Sequence, residues 1–205
     1  MVTTRMAESR ETAVVKDDLA LVAEAKAGSY EAFEELVNRY ENKIYRLGVN
    51  ITGNSEDAED VLQEAFLKAF QHLAEFREDS RFYTWLVRIA VNEALMKLRK
   101  IRSNRTVPLE DEIGEDGDPI PRELADWKPN PEQIFAQEEI ESILREAAQK
   151  LPASYRTVFL LRDMEELSTA EAASVLGLTE GTVKARLFRA RLMLREELSK
   201  VFKRG

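Results

Sequence analysis

Five of the six prolines in this 205-residue sequence, Pro108, Pro119, Pro121, Pro129 and Pro131, fall in the stretch 108–131, with Gly114 and Gly117 among them. Proline breaks an α-helix by removing an amide donor and crowding the preceding turn. The same stretch is acidic, and such a composition buries too little apolar surface to offset the entropy of ordering it. It therefore reads as a flexible linker, 103–133, that divides the chain into two units, 18–102 and 134–205. Residues 1–17 read as a disordered N-terminal tail.

Both flanking units carry helical periodicity, so the expected fold is all-α: two small helical domains joined by a flexible acidic linker. Residues 18–27 and 31–51 read as helices, the second with Phe33, Leu36, Val37, Tyr40, Ile44, Leu47 and Ile51 along one stripe. Gly53 stops it, and Asn54 and Ser55 offer an N-cap to the next helix, whose first turn holds Glu56 and Asp57. In that helix Ala58, Val61, Leu62, Ala65, Phe66, Ala69, Phe70 and Leu73 recur at helical spacing, leaving Asp60, Gln63, Glu64 and Lys68 on the opposite face. After a loop, 76–80, a further helix spans about 81–102 and buries Trp85, Leu86, Ile89 and Ala90. Beyond the linker, 131–150 reads as a helix, Pro152 marks the start of the next, and this one runs to about Arg162.

The final forty residues read as a helix-turn-helix. Ser168 and Glu171 have the spacing of a capping box, Ala172, Ala173 and Leu176 suit a close crossing of helices, and Gly177 supplies a left-handed turn. In the last helix, about 180–202, Val183, Leu187, Ala190, Leu194, Leu198 and Val201 share one face, while Lys184, Ala185, Phe188, Arg189 and Leu192 share the other. Cations reach guanine edges or phosphates, and alanine and phenylalanine touch thymine methyls, so this second face suits a DNA major groove. Arg186 and Arg191 flank it, and Thr179 and Thr182 at the helix start are placed to meet the DNA backbone.

Net charge, −8, argues against a polyanion partner until it is counted by segment. Residues 81–105 hold seven basic residues against one acid, and 178–205 hold eight against three; 56–79 and 103–135 are each strongly acidic. Charge blocked in this way is the pattern of a protein with more than one polyanion contact. Phe76, Phe82, Tyr83 and Trp85 lie beside the first basic block, a combination suited to unstacked single-stranded bases. Disulfides are excluded by the absence of cysteine, and with one histidine no nitrogen or sulfur metal site or cofactor is expected. The apolar runs fall short of the ~20 residues that span a bilayer, so a cytoplasmic protein without membrane insertion is expected. No glycine-rich phosphate loop is present, and no enzymatic activity is expected.

Three motifs resemble those of the extracytoplasmic-function (ECF) group of bacterial sigma factors. Residues 57–70, DAEDVLQEAFLKAF, resemble the family's region 2.2; residues 82–92, FYTWLVRIAVN, resemble regions 2.3 to 2.4; Leu151-Pro152 with residues 177–191, GLTEGTVKARLFRAR, resembles region 4. The absence of a long region 3 between them is a mark of the ECF group. The resemblance implies a protein that binds core RNA polymerase and directs promoter recognition. It implies that Asp60, Gln63 and Glu64 dock on the β′ clamp helices, and that region 4 meets the β flap. Phe76, Arg81, Tyr83, Arg88 and Asn92 would recognise and help melt the −10 element, capturing a flipped base. The −35 element would be read by Lys184, Ala185, Phe188 and Arg189, with Thr179, Thr182, Arg186 and Arg191 beside them. An anti-sigma factor is the further implied partner, and the acidic linker would thread toward the RNA exit path. The alternative is a helix-turn-helix regulator that binds DNA independently of polymerase, which leaves the first hundred residues without a role.

Overall fold

The structure, a computed structural model, describes residues 16–104 and 143–202. Most of the expected tail, nearly all of the linker and the start of the 131–150 helix lie outside the described residues. Every regular element among the described residues is helical. The first half contains α1 (Asp18–Lys26), α2 (Tyr30–Thr52), α3 (Ser55–Gln71), a short 3₁₀ turn at Leu73–Glu75, and α4 (Phe82–Asn104). The second half contains α5 (143–149), α6 (Ala153–Phe159), a π turn (Leu160–Met164), α7 (Thr169–Leu176) and α8 (Glu180–Phe202).

Local signals start and stop these helices as their chemistry dictates. Asp17, Ser29, Asn54 and Ser168 each accept a backbone amide of the following first turn, supplying a partner that an N-terminal N–H otherwise lacks. Asp17 therefore belongs to α1, and Lys16 pairs with Glu24, so ordered contacts begin inside the stretch expected to be tail. At Ser168 the capping box is complete in both directions. Gly53 and Gly177 end α2 and α7 in the left-handed conformation, with φ of 75° and 64°.

Core formation in the first half follows the stripes. Leu36, Ile44, Leu47 and Ile51 of α2 bury against Val61, Ala65 and Ala69 of α3 and against Phe82, Leu86, Val87 and Ala90 of α4. Gly48 lets α2 and α3 approach closely, because a Cβ there would lie 3.2 Å from that of Ala58. Two aromatic residues depart from expectation. Phe70 lies on the apolar stripe of α3 yet is exposed, resting on Tyr30 and Phe33 at the surface. Phe76, expected in a strand-reading loop, is 3% exposed, its ring held against Phe82 and Trp85 at 6.0 and 5.1 Å. Burying that ring removes more apolar surface from water than a loop position would, and the side chain is core.

The two halves are in contact. α2 has no basic residue in its last turn, and its terminal carbonyls are met from the other half of the chain. Arg156 of α6, 8% exposed, donates to the Ile51 carbonyl at 2.7 Å and to the carbonyl and Oε1 of Gln149 at 3.0 and 2.8 Å. Gln149 in turn donates to the Asn50 carbonyl at 2.8 Å. A cation at a helix C-terminus satisfies orphan carbonyls and opposes the negative end of the dipole. Gly53 is doubly constrained here, since a Cβ would also come within 3.0 Å of Gln149 Oε1. Sequence reading continued α6 to Arg162 as an α-helix; from Leu160 the backbone instead widens, with the Glu165 amide donating to the Leu160 carbonyl five residues back. Replacing Arg156 by Met strands buried carbonyls without a donor and is expected to cost about 1–3 kcal/mol, read as a lower urea midpoint for the whole chain.

Candidate nucleic-acid and polymerase interfaces

Three surfaces gather the residues singled out in the sequence. The first begins at the N-terminus of α4. Arg81, Arg88, Asn92 and Arg99 fall within about 40° of one another at 100° per residue, and all four are exposed. They form one polar, basic strip. Beside its start a cleft of about 580 Å³ is lined by residues that include Asp18, Tyr40, Lys43, Asp79, Arg81 and Tyr83. Tyr83 stacks on Tyr40 with centroids 5.1 Å apart, and Lys43 Nζ lies 5.1 Å from the Tyr83 ring centre. The apolar stripe of α2 predicts only a core place for Tyr40 and nothing local marks Lys43, because both reach this cleft across the interhelical packing of α2 on α4. The loop before α4 holds Glu78 at φ 62°, left-handed for a side-chain-bearing residue, where Lys26 pairs with its carboxylate at 3.2 Å and donates to the Phe76 carbonyl at 2.6 Å.

The phenol of Tyr40 donates to Asp18 and that of Tyr83 to Glu165. Burial, reinforced by these carboxylates, pushes both phenols above their ordinary range, so each stays protonated and acts as a donor. The basic run 97–102 is not a single patch. Lys97 turns to α3 and pairs with Asp57 at 3.2 Å and with Asp60, whereas Arg99 points along the strip of Arg88.

The second surface is a shallow groove of about 440 Å³ between α3 and α4, lined by Asp60, Gln63 and Glu64 from one helix and Glu93, Met96, Lys97 and Lys100 from the other. Lys68, on the same polar side of α3, pairs with Glu93 at 2.6 Å. Leu67 projects on the Gln63 face and is 51% exposed, and Met96 is 47% exposed. Exposed aliphatic side chains rimmed by polar groups are the composition of a protein-binding surface. Leu67 was not singled out in the sequence, although it stands off the apolar stripe of its own helix.

The third surface is α8. Val183, Ala190 and Leu194 are buried against α6 and α7, with Leu187 and Leu198 partly buried, which turns Lys184, Ala185, Phe188 and Arg189 outward. Lys184 is exposed; Ala185, Arg186, Phe188 and Arg189 are half-buried. Thr179 caps the helix, accepting the Thr182 amide at 3.1 Å while the two hydroxyls lie 2.8 Å apart. Arg191, expected to flank this face, makes a bidentate pair with Asp163 at 2.7 and 2.9 Å, tying α8 to the π turn. That partner was invisible in the sequence because it depends on how the π turn aims Asp163.

Both halves of the chain, and so all three surfaces, lie within stretches that match known proteins. The Sigma-70 region 2 model matches residues 36–104 and the Sigma-70 region 4 model matches residues 141–194. Over 181 residues the chain is 39% identical to the RNA polymerase sigma-H factor of Pseudomonas aeruginosa, covering 86% of this chain and 91% of that protein. Over 191 residues it is 37% identical to the ECF RNA polymerase sigma-E factor of Escherichia coli (strain K12), covering 91% and 97%. The chain belongs to the ECF sigma factors. Among solved structures, CnrH in complex with the cytosolic domain of CnrY superposes with a TM-score of 0.61 at 27% identity, covering 89% of this sigma factor and 97% of that chain. The sigma factor RpoE of Bartonella quintana, in complex with the anti-sigma factor NepR, has the same fold, with a TM-score of 0.59 at 24% identity over 82% of this chain and 96% of that one. As a sigma factor the protein binds core RNA polymerase and directs promoter recognition, a regulatory rather than a chemical task. No helix among its described residues is long and apolar enough to cross a membrane.

Glu171, in the first turn of α7, ties the helix-turn-helix to the first surface. Burial alone would raise its carboxyl, but the Ser168 amide, the Arg81 guanidinium and the Ser168 and Thr84 hydroxyls outweigh that and hold it at about 2, below the ordinary 4.5. A depressed carboxyl contributes stability that is present above pH 4.5 and is lost as pH falls through about 2. Glutamine at 171 keeps the capping geometry without the charge. In urea unfolding followed by circular dichroism at stepped pH, Glu171→Gln is therefore expected to lose less stability than the parent between pH 4.5 and 2.

Proposed function

We propose that the sigma factor divides promoter recognition between its halves at the residues described above. Lys184, Ala185, Phe188 and Arg189 on the outer face of α8 read the −35 element as duplex, with Thr179, Thr182 and Arg186 positioned against its backbone. Arg191 joins them if Asp163 releases it. At the start of α4, Arg81, Tyr83, Arg88 and Asn92 engage the −10 element as it opens, and the cleft beside Tyr83 takes an unstacked base. Phe76 contributes by holding the start of α4 rather than by touching DNA. Asp60, Gln63 and Glu64, with Leu67 at their centre, dock on the clamp helices of β′, and region 4 meets the β flap.

The observation that carries this reading is the pairing of two unlike basic surfaces in one chain. One is a straight helix face with two cations, a methyl and a phenyl ring, suited to base edges in a major groove. The other is a cationic strip running from an aromatic cleft, suited to a single strand. A regulator that reads duplex alone has no use for the second. The anti-sigma factor bound to the Bartonella quintana relative supports a partner of that kind for this protein as well.

Purified protein added to bacterial core polymerase is expected to yield promoter-specific transcripts from a genomic library. No transcripts, with no co-elution of the two, would overturn the reading. On a promoter recovered in that way, Arg189→Ala or Lys184→Ala is expected to weaken holoenzyme binding by ~1–3 kcal/mol where the contact is to a base, with a matching loss of discrimination at one −35 position. Leu67→Arg is expected to reduce co-elution with core polymerase while leaving the circular dichroism spectrum unchanged.

A further inference from the structure

The donors at the start of α4 are already engaged by the other half of the chain. Arg81 donates to Glu171 Oε1 at 2.9 Å, and Thr84 Oγ1 donates to the same oxygen at 3.0 Å. Tyr83 donates to Glu165. Thr84 is 5% exposed although it lies on the same side of α4 as the exposed Arg81 and Arg88, and α7 is the element carrying its partner. The segment 163–171 that supplies these acceptors holds Asp163, Glu165, Glu166 and Glu171 and no lysine or arginine. An acidic stretch therefore faces a basic one across the junction between halves.

Carboxylate oxygens offer these donors what phosphate oxygens and base carbonyls offer: acceptors of matching charge or polarity. Occupation by one excludes the other. The arrangement is also incompatible with reading two promoter elements about two helical turns, or ~70 Å, apart, because it holds α7 of the helix-turn-helix directly on the −10 face.

We propose that the helix-turn-helix half of this sigma factor is an intramolecular competitor for the −10-reading face, with Glu171 and Glu165 seated on Arg81, Thr84 and Tyr83 in the place a DNA strand takes. The inference rests on the assignment of Arg81 and Tyr83 to that face. Arg81 remains 65% exposed in its pair with Glu171, so this latching pair exchanges readily, whereas separating the halves on polymerase must also part the buried Arg156 contacts with α2. Free protein spends most of its time closed, and its apparent affinity for a single strand is reduced by the fraction that is open.

The native chain contains no cysteine, so Glu34→Cys and Arg195→Cys, at exposed positions in the two halves, can carry a donor and an acceptor dye. In this labelled full-length background, Glu165→Gln/Glu171→Gln is expected to change energy transfer toward greater separation. It is also expected to bind a fluorescein-labelled, random-sequence single-stranded DNA pool about fivefold more tightly or better. Glu59→Gln/Glu196→Gln makes the same charge change at exposed sites away from the junction and is expected to do neither. Unchanged energy transfer, or an affinity gain matched by the Glu59/Glu196 control, overturns the proposal. So does a gain that survives addition of Arg81→Ala. The residue assignment is tested separately in the holoenzyme, where polymerase holds the halves apart: Arg81→Ala and Tyr83→Ala should reduce permanganate-detected opening of a library-derived promoter. Normal opening in those variants overturns the assignment, whereas normal energy transfer in the glutamine variant overturns the latch.

Discussion

A buried guanidinium holds the joint of this molecule. Arg156 satisfies carbonyls at the end of α2 that the helix has no local means to satisfy, and Gln149 completes the set from the same side. Charge buried with one partner removed is far costlier than charge left in water. The pairing therefore fixes where α6 meets α2, and with it where the rest of the second half lies. Once α6 is placed, α7 is brought onto α4 and the acidic segment after α6 arrives at the basic start of α4. The interhalf hydrogen bonds of Arg81, Tyr83 and Thr84 depend on that placement.

Charge in the protein is used in three settings. At the joint it is buried and structural. At the α4 start it is exchangeable, with the exposed Arg81 and the half-buried Tyr83 giving to carboxylates the bonds they have the chemistry to give to DNA. On α8 it is exposed: Lys184 has only a long 3.9 Å pairing with Glu180, a contact that water screens and a DNA edge can displace. Burial thus separates the Arg156 joint, which keeps the halves together, from the more accessible groups with which they read.

Features written locally were legible in the sequence. The capping box of Ser168 and Glu171, the left-handed glycines at 53 and 177, and the sorting of α8 into an inner and an outer face each depend on residues within two helical turns. The features that escaped depend on partners far along the chain. Phe76 is the exception: its partners Phe82 and Trp85 are near in sequence, but the turn that folds α4 back over the ring is not written in the residue types. Lys97 looked like part of a DNA-binding run because Asp57 and Asp60 sit a whole helix away. Arg191 looked like a flanking phosphate contact for the same reason. The composition of α3 implied a polar surface opposite the core, and the exposed Leu67 within it became meaningful only beside Met96 of α4.

The π turn at Leu160–Met164 makes the junction sensitive to chain length rather than to composition. A widened turn accommodates one more residue than an α-helix over the same rise, and Glu166 then leaves the helix through a left-handed conformation at φ 54°. Removing a single residue here would restore ordinary helix and re-aim the side chains of the turn itself, among them Asp163, which now meets Arg191, and Glu165, which now meets Tyr83, while the chain beyond could keep its place. A gap in this short stretch would therefore change which carboxylates reach the junction without moving the joint that Arg156 holds, and it carries more structural meaning than many differences elsewhere.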